Sequence, residues 1–284
     1  FDGDGSNGGI SGFETIDLSD TDGLTASVVL TDAYVTSTAS NAVNLTIHNN
    51  DISSLTTTGV TGTVTLDSSD NTFSVTTASG VNNAGIVIAA GETATITLGD
   101  GNNTVTGGTG SETFIVVDNQ LDGSDSLTGG GTGTDTLEIT GSNGDVDLLA
   151  VATHTSGFET IQIDADRVAG TDALRISDAF VGAATGTTVK ITGGGTIYHL
   201  DTSDVTTTAN HVVIGTGAVV TMQDGVNNLV YADDTQAVNI TGGTGNDTVV
   251  FTEAGFANSD LFTGGTTGTD TIKFSNAATI TTAE

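Results

Sequence analysis

Gly242-Gly243-Thr244-Gly245-Asn246-Asp247-Thr248-Val249-Val250 follows the pattern Gly-Gly-x-Gly-x-Asp-x-apolar-x without a departure. A nonapeptide of this kind describes a glycine turn feeding one short strand, and repeated it coils a chain into a β-solenoid. A second perfect copy runs from Gly130 to Glu138 as GGTGTDTLE. Two near copies stand beside them: GGTGSETFI at 107–115, with Glu112 in the aspartate position, and GTTGTDTIK at 265–273, with Thr266 in place of the second glycine. Glu112 and Asp135 are 23 residues apart (135 − 112), and so are Asp247 and Asp270 (270 − 247).

Working outward, the whole cassette beginning at Thr106 returns from Thr241, 135 residues later (241 − 106). The upstream marker SGFETI occurs at Ser11 and again at Ser156, 145 residues later (156 − 11). The chain therefore reads as two copies of one long unit, 11–155 and 156–284. The second is ten residues shorter in its middle (145 − 135), and residues 1–10 form the end of a preceding repeat or a linker. Internal repetition takes precedence over any other fold signal.

Helical periodicity is scarce, and glycine and threonine disfavour helices. Short runs rich in Val, Ile and Thr recur instead. Strands are expected at 27–30, 43–47, 63–66, 72–75, 86–89, 95–98, 114–117 and 137–140 in the first copy. The second copy gives 160–163, 189–192, 212–214, 219–222, 238–240, 249–252 and 272–274. Clusters such as DSSDN, GDGNN and TGGTG separate the runs and read as turns. The fold class expected is all-β, a right-handed parallel β-solenoid with glycine-rich turns. Such a turn needs backbone conformations that only glycine adopts freely. The apolar residue two places after each acid (Phe114, Leu137, Val249, Ile272) should point inward. Half-motifs at Gly123-x-Asp125-x-Leu127 and Gly101-x-Asn103-x-Val105 add two turns to the first copy. Asn103 should then stack near Asp125, Glu112 near Asp135 and Asp247 near Asp270, with Asp260 as a further acidic candidate.

The 284 residues carry 35 acidic and four basic side chains, a formal net charge of −31. All four basic residues (Arg167, Arg175, Lys190, Lys273) lie in the second copy. Such a chain repels phosphate and anionic headgroups, which argues against nucleic-acid and membrane-surface partners. Its charge alone would favour disorder, but its β-branched content favours strands. Divalent cations reconcile the two, and the hard carboxylate and carbonyl oxygens of these turns suit Ca2+. There is no cysteine and no proline, so staples of sulfur are excluded and turns must come from Gly, Asn and Asp. No apolar run approaches the roughly 18 residues of a membrane span. The start at Phe1, without a signal-peptide pattern, reads as a fragment or processed product.

The segments 98–138 and 242–273 resemble the RTX family and the related bacterial surface-layer and adhesin proteins; the SGFETI markers resemble strand-forming segments of surface-layer proteins more loosely. The resemblance implies ions between stacked turns, held by acidic side chains and by carbonyls of the glycine turns. Carried onto this chain it implicates Glu112, Asp125, Asp135, Asp247 and Asp270, beside which Asp260 stands as the further candidate metal ligand. The turns would be those at Gly107, Gly130, Gly242 and Gly265. Glu112, Asn103 and Thr266 depart from the family pattern, so a few ions are expected and not a continuous row. It further implies a secreted, cell-surface structural protein that self-assembles in a surface layer or extracellular matrix. The second reading is an adhesin module for carbohydrate or cell surfaces, with cell-surface polysaccharide as partner. With three Tyr, ten Phe and no Trp, a sugar-stacking platform has little material.

The start Asp2-Gly3-Asp4-Gly5-Ser6-Asn7 is acidic, but Asn7 and Phe13 stand where an EF-hand loop needs glycine and glutamate. His48, His154, His199 and His211 lack metal-ligand spacing. No H-E-x-x-H and no G-x-S-x-G occurs. No carboxylate pair stands out as a glycosidase couple, so the expectation is a protein that is not an enzyme.

Overall fold

The computed structural model describes residues 12–18, 26–47, 52–57, 60–68, 72–78, 81–117, 120–141, 146–151, 154–163, 174–193, 196–215, 219–232, 238–251 and 260–275. The acidic stretch 2–7, His48 and Arg167 lie outside them. The chain divides into two compact units: Phe1–Leu137 with His154–Phe158, and Glu138–Thr153 with Glu159–Glu284.

In the first unit, successive strands alternate between two parallel sheets. One sheet has the order β1 (Thr15–Leu18), β3 (Ala42–Ile47), β5 (Thr63–Ser68), β7 (Asn83–Ile88), β9 (Asn103–Thr106), β11 (Ser126–Thr128) and β14 (Thr155–Ser156). The other runs β2 (Ala26–Val29), β4 (Ile52–Thr56), β6 (Thr72–Thr77), β8 (Thr93–Thr97), β10 (Thr113–Val117) and on to β12 (Thr136–Thr140), where the unit's boundary falls. From β3 to β12 each strand therefore pairs with the strand two places earlier, and β14 pairs with β11, which is the wiring of a parallel β-solenoid. The residue-to-residue repeat varies from 18 (Ile96 to Phe114, 114 − 96) to 29 (Thr15 to Asn44, 44 − 15).

The second unit is built the same way. One sheet orders β13 (Val146–Asp147), β16 (Leu174–Ser177), β18 (Thr196–Asp204), β20 (Val219–Met222), β22 (Asn239–Thr241) and β24 (Leu261–Thr263). Facing it are β15 (Thr160–Ile163), β17 (Thr188–Thr192), β19 (His211–Ile214), β21 (Leu229–Ala232), β23 (Thr248–Phe251) and β25 (Thr271–Phe274).

Alternation along each strand sends one residue in two inward. In register, Val43, Val64, Ile86, Val105 and Leu127 form one buried column in the first unit. Each such side chain contributes roughly 2 kcal/mol through burial. Outward positions carry hydroxyls instead, as where Ser74 pairs with Thr95 and Thr76 with Thr97, a side-chain ladder suited to parallel strands. The two SGFETI markers differ in packing. Phe158 is fully buried and meets Phe114 edge-on at 5.4 Å, whereas Phe13 is 59% exposed.

Helix is more frequent than the sequence reading allows, though every helix is short. They are α1 (Asp32–Val35), α2 (Leu148–Val151) and α3 (Asp178–Ala183). Thr31 and Ser177 cap α1 and α3 by accepting from the Tyr34 and Phe180 N–H groups, both at 3.3 Å. α1 and α3 each bury an aromatic–Val pair, Tyr34–Val35 and Phe180–Val181. The local signal was [Thr/Ser]-Asp-Ala-[Tyr/Phe]-Val at 31–35 and 177–181, a capped single turn too short to show helical periodicity. Among the described residues no helix is long and apolar enough to cross a membrane.

Candidate cation-binding turns

The nonapeptide turns sit at corners where each strand begins, and the acid immediately precedes its strand, in step with the strand's inward-facing residues. Glu112, Asp125, Asp135 and Asp247 are accordingly buried, Asp260 is half-buried and Asp270 is exposed. Close approach between coils explains most of the glycines. A methyl group on Gly133 would stand 1.4 Å from the Gly110 carbonyl oxygen, and one on Gly245 1.6 Å from that of Val226. The sequence reading had attributed these glycines to positive φ. Among the nonapeptide glycines only Gly130 and Gly268 adopt it. The others, Gly131 excepted, are glycine because the backbone of a neighbouring coil occupies the space; a methyl group on Gly131 would meet the Thr109 side chain first, at 3.1 Å.

The aspartates tie adjacent coils together. Asp247 Oδ2 accepts from Gly243 N–H of its own turn at 2.8 Å. Its Oδ1 accepts from the Asn228 backbone N–H at 3.1 Å and from Asn228 Nδ2 at 2.9 Å, one coil earlier. Asp270 repeats the device, taking Gly265 N–H on Oδ2 (2.7 Å) and Asp247 N–H on Oδ1 (3.1 Å). Asp135 Oδ1 takes Glu112 N–H at 2.9 Å, and Asp125 Oδ1 takes Asn103 N–H at 2.9 Å. Asp260 Oδ1 takes Val238 N–H at 3.1 Å. The structure thus brings together Asn103 with Asp125, Glu112 with Asp135 and Asp247 with Asp270. It does not bring three acidic or histidine side chains onto one point anywhere among the described residues.

Sequence reasoning missed the uncharged rungs of the same columns. Asn83 Oδ1 accepts from Thr57 N–H at 3.1 Å, and its Nδ2 donates to Asn103 Oδ1 at 3.1 Å. Asn228 Oδ1 accepts from Thr202 N–H at 3.0 Å. It also missed Glu92, which is 2% exposed and faces inward in step with Ala94 and Ile96. Alternation through Glu92-Thr93-Ala94-Thr95-Ile96 was the available signal.

Glu112 is different from the aspartates. It is 0% exposed, and neither carboxylate oxygen has a hydrogen-bond partner of acceptable geometry. A methyl group on Gly107 would come within 3.0 Å of Glu112 Oε2, and one on Gly130 within 3.2 Å. That oxygen therefore lies between its own glycine turn and the next. Burial, reinforced by the Asp135 carboxylate and more weakly by Glu92, pushes the Glu112 carboxyl up to about 8. Burial likewise raises Asp125, against the N–H bonds from Asn103 and Asp122 that favour its charge. No lysine or arginine occurs before Arg167, so this charge cannot be balanced by a basic side chain of the first unit. A hard cation would meet that need at Glu112 and Asp135, with turn carbonyls or water completing its oxygen shell. At Asp247 and Asp270 the fit is looser, because backbone N–H groups already engage both oxygens of each carboxylate.

The fold and these corners define each unit as a two-sheet parallel β-solenoid with carboxylate-tied glycine turns. Comparison with known family models, characterised proteins and solved structures returns no match.

Proposed function

We propose that this chain is a structural, calcium-stabilised β-solenoid segment of a secreted surface layer or extracellular matrix, and that it acts by assembling with copies of itself. The observation that carries this reading is Glu112, a buried carboxylate with no hydrogen-bond partner, set between two glycine turns. The unit around it has no lysine or arginine. An ion there converts binding energy into folding energy. Extracellular calcium modules work in the region of 10⁻⁴–10⁻³ M, so ambient calcium would set the order of the turns. The same ion would lower the self-repulsion of a chain with net charge −31 and let acidic faces of neighbouring copies approach.

The test is a calcium titration from chelated protein, followed by circular dichroism and light scattering. The reading expects β-structure to sharpen and scattering to rise together in the millimolar range. Unchanged spectra and unchanged particle size across that range reject it.

A further inference from the structure

The register around Glu112 points to a site outside any nonapeptide. In the second unit Asp247 stands one residue beyond the pair Leu229–Thr248, opposite Asn228. The Asn228 backbone and side chain both donate to it. In the first unit Glu112 holds the corresponding place, one residue beyond the pair Thr95–Thr113, and the residue opposite is Ala94. Alanine offers no side-chain donor. The next inward-facing side chain along that coil is Glu92, itself buried. Where the second unit sets an amide against a carboxylate, the first sets a carboxylate against a carboxylate.

We propose that a divalent, oxygen-preferring cation binds between Glu92 and Glu112, one coil before the nonapeptide pair Glu112–Asp135. The site rests on the calcium reading above but adds a ligand, Glu92, from the segment Ala90-Gly91-Glu92-Thr93, which has no nonapeptide character. Two like charges in the interior of a solenoid repel strongly, and a hard cation between them turns that repulsion into attraction. Glu112 supplies the geometric evidence, since its two oxygens are fully enclosed and no donor of the protein reaches them with good hydrogen-bond geometry, the Gly108 N–H of its own turn being a weak contact. Glu92 lies two residues along the coil from Ala94, which the register sets opposite Glu112, and it is buried on the same inward side. The coils meet tightly at this corner, because a methyl group on Gly110 would stand 1.5 Å from the Glu92 carbonyl oxygen. Glu92 and Glu112 therefore belong to one corner where adjacent coils meet.

The experiment counts calcium by calorimetry and native mass spectrometry on the full chain and on Glu92→Gln, with Asp270→Asn as a reference outside this corner. Glu92→Gln is expected to bind one calcium fewer than the unsubstituted chain, while its metal-free fold melts no lower because a buried charge has been removed. An unchanged calcium count in Glu92→Gln overturns the site but leaves the nonapeptide reading standing. An unsubstituted chain that binds no calcium overturns both. Anomalous diffraction from crystals of the unsubstituted chain grown in calcium gives an answer independent of folding in the variant. A peak between the Glu92 and Glu112 carboxylates supports the site, and its absence there overturns it.

Discussion

At the scale of single residues, glycine and acid have separable tasks. Gly133 is glycine because the Gly110 carbonyl oxygen occupies the volume of a side chain. Gly123, in a half-motif, has nothing within 4 Å of that position. Gly133→Ala is therefore expected to cost about 3 kcal/mol, the upper part of the overpacking range, since backbone cannot step aside as a side chain can. Gly123→Ala should be neutral within about 1 kcal/mol. Chemical denaturation of the two variants decides it, and equal losses would reject close approach as the reason for the motif glycines. Glu112 sets a pH dependence of definite sign. Its carboxyl titrates from about 8 in the fold against an ordinary value of 4.5. A raised acid gives no penalty while both states are protonated. The metal-free fold then loses stability as pH climbs from 4.5 towards 8. Glu112→Gln should flatten that slope and raise the chelated melting temperature at pH 8. Parallel pH profiles for the two proteins would contradict the assignment. These roles were only partly legible. The acid pairs could be read from spacing, because a motif repeated at about one coil must stack. The inward position of Glu92 is legible from alternation, but its part, like those of Asn83 and Asn228, is not, because it depends on which residue faces it across the coil.

At the scale of elements, the ten-residue shortening of the second copy has a structural meaning. Among the described residues, seven strands (β3 to β9) lie between α1 and the first cassette's turn, and six (β17 to β22) between α3 and the second. Ten residues are one strand with its turn. Because strands alternate between walls, losing one reverses the parity of everything before it. In the first unit β2, which leads into α1, shares a sheet with the nonapeptide strand β10. In the second, β16, which leads into α3, lies in the sheet opposite β23. The strands from alternating Val, Ile and Thr runs lie close to where the sequence put them, as at Thr63–Ser68 and Thr160–Ile163. Short strands such as Ser126–Thr128 and Leu261–Thr263 were missed, since three residues give no periodicity to detect. The capped helix is also a clamp. Asp178 accepts from the Thr206 and Thr207 N–H groups, the Thr206 hydroxyl and Asn210 Nδ2, all one coil later. Burial opposes its ionisation, but these donors outweigh that and hold its carboxyl well below the usual carboxylate range. Asp178→Ala should cost about 2 kcal/mol, the contribution of hydrogen bonds to a charged acceptor. Because the acid is depressed, the loss should be full at neutral pH and fade below the ordinary carboxylate range. The Asp32 carboxylate, which among the described residues accepts from the Thr61 N–H and hydroxyl alone, should matter less when substituted in the same way. Thermal melts at pH 7 and pH 3 separate these cases, and an equal loss at both pH values would count against the clamp.

At the scale of the whole molecule, charge is unevenly matched to folding. The first unit has no lysine or arginine, and it encloses Glu92, Glu112, Asp125 and Asp135. The second encloses Asp201 and Asp247. There Arg175 meets Asp201 at 3.4 Å and Asp204 at 3.2 Å, while Asn228 meets Asp247. Solenoid stability is close to a sum over repeats and their interfaces, so a local charge defect weakens coils near it more than distant ones. On the proposed calcium reading, removing the ion should therefore loosen the two units unequally. With chelator at pH 8, amides of Thr93–Thr97 and Thr113–Val117 are expected to exchange hydrogen at least tenfold faster than with calcium, a change of about 1.4 kcal/mol in local opening. Amides of Val219–Met222 and Leu229–Ala232 should change less, because the Asn228 and Asp247 bonds hold those coils without an ion. Hydrogen exchange resolved by peptide mass spectrometry reads both sets in one sample, so calcium effects on aggregation or on global melting cancel from the comparison. A uniform change across both sets would mean that the cation acts on net charge alone. The enclosed carboxylates of the first unit would then have to be carried by protons.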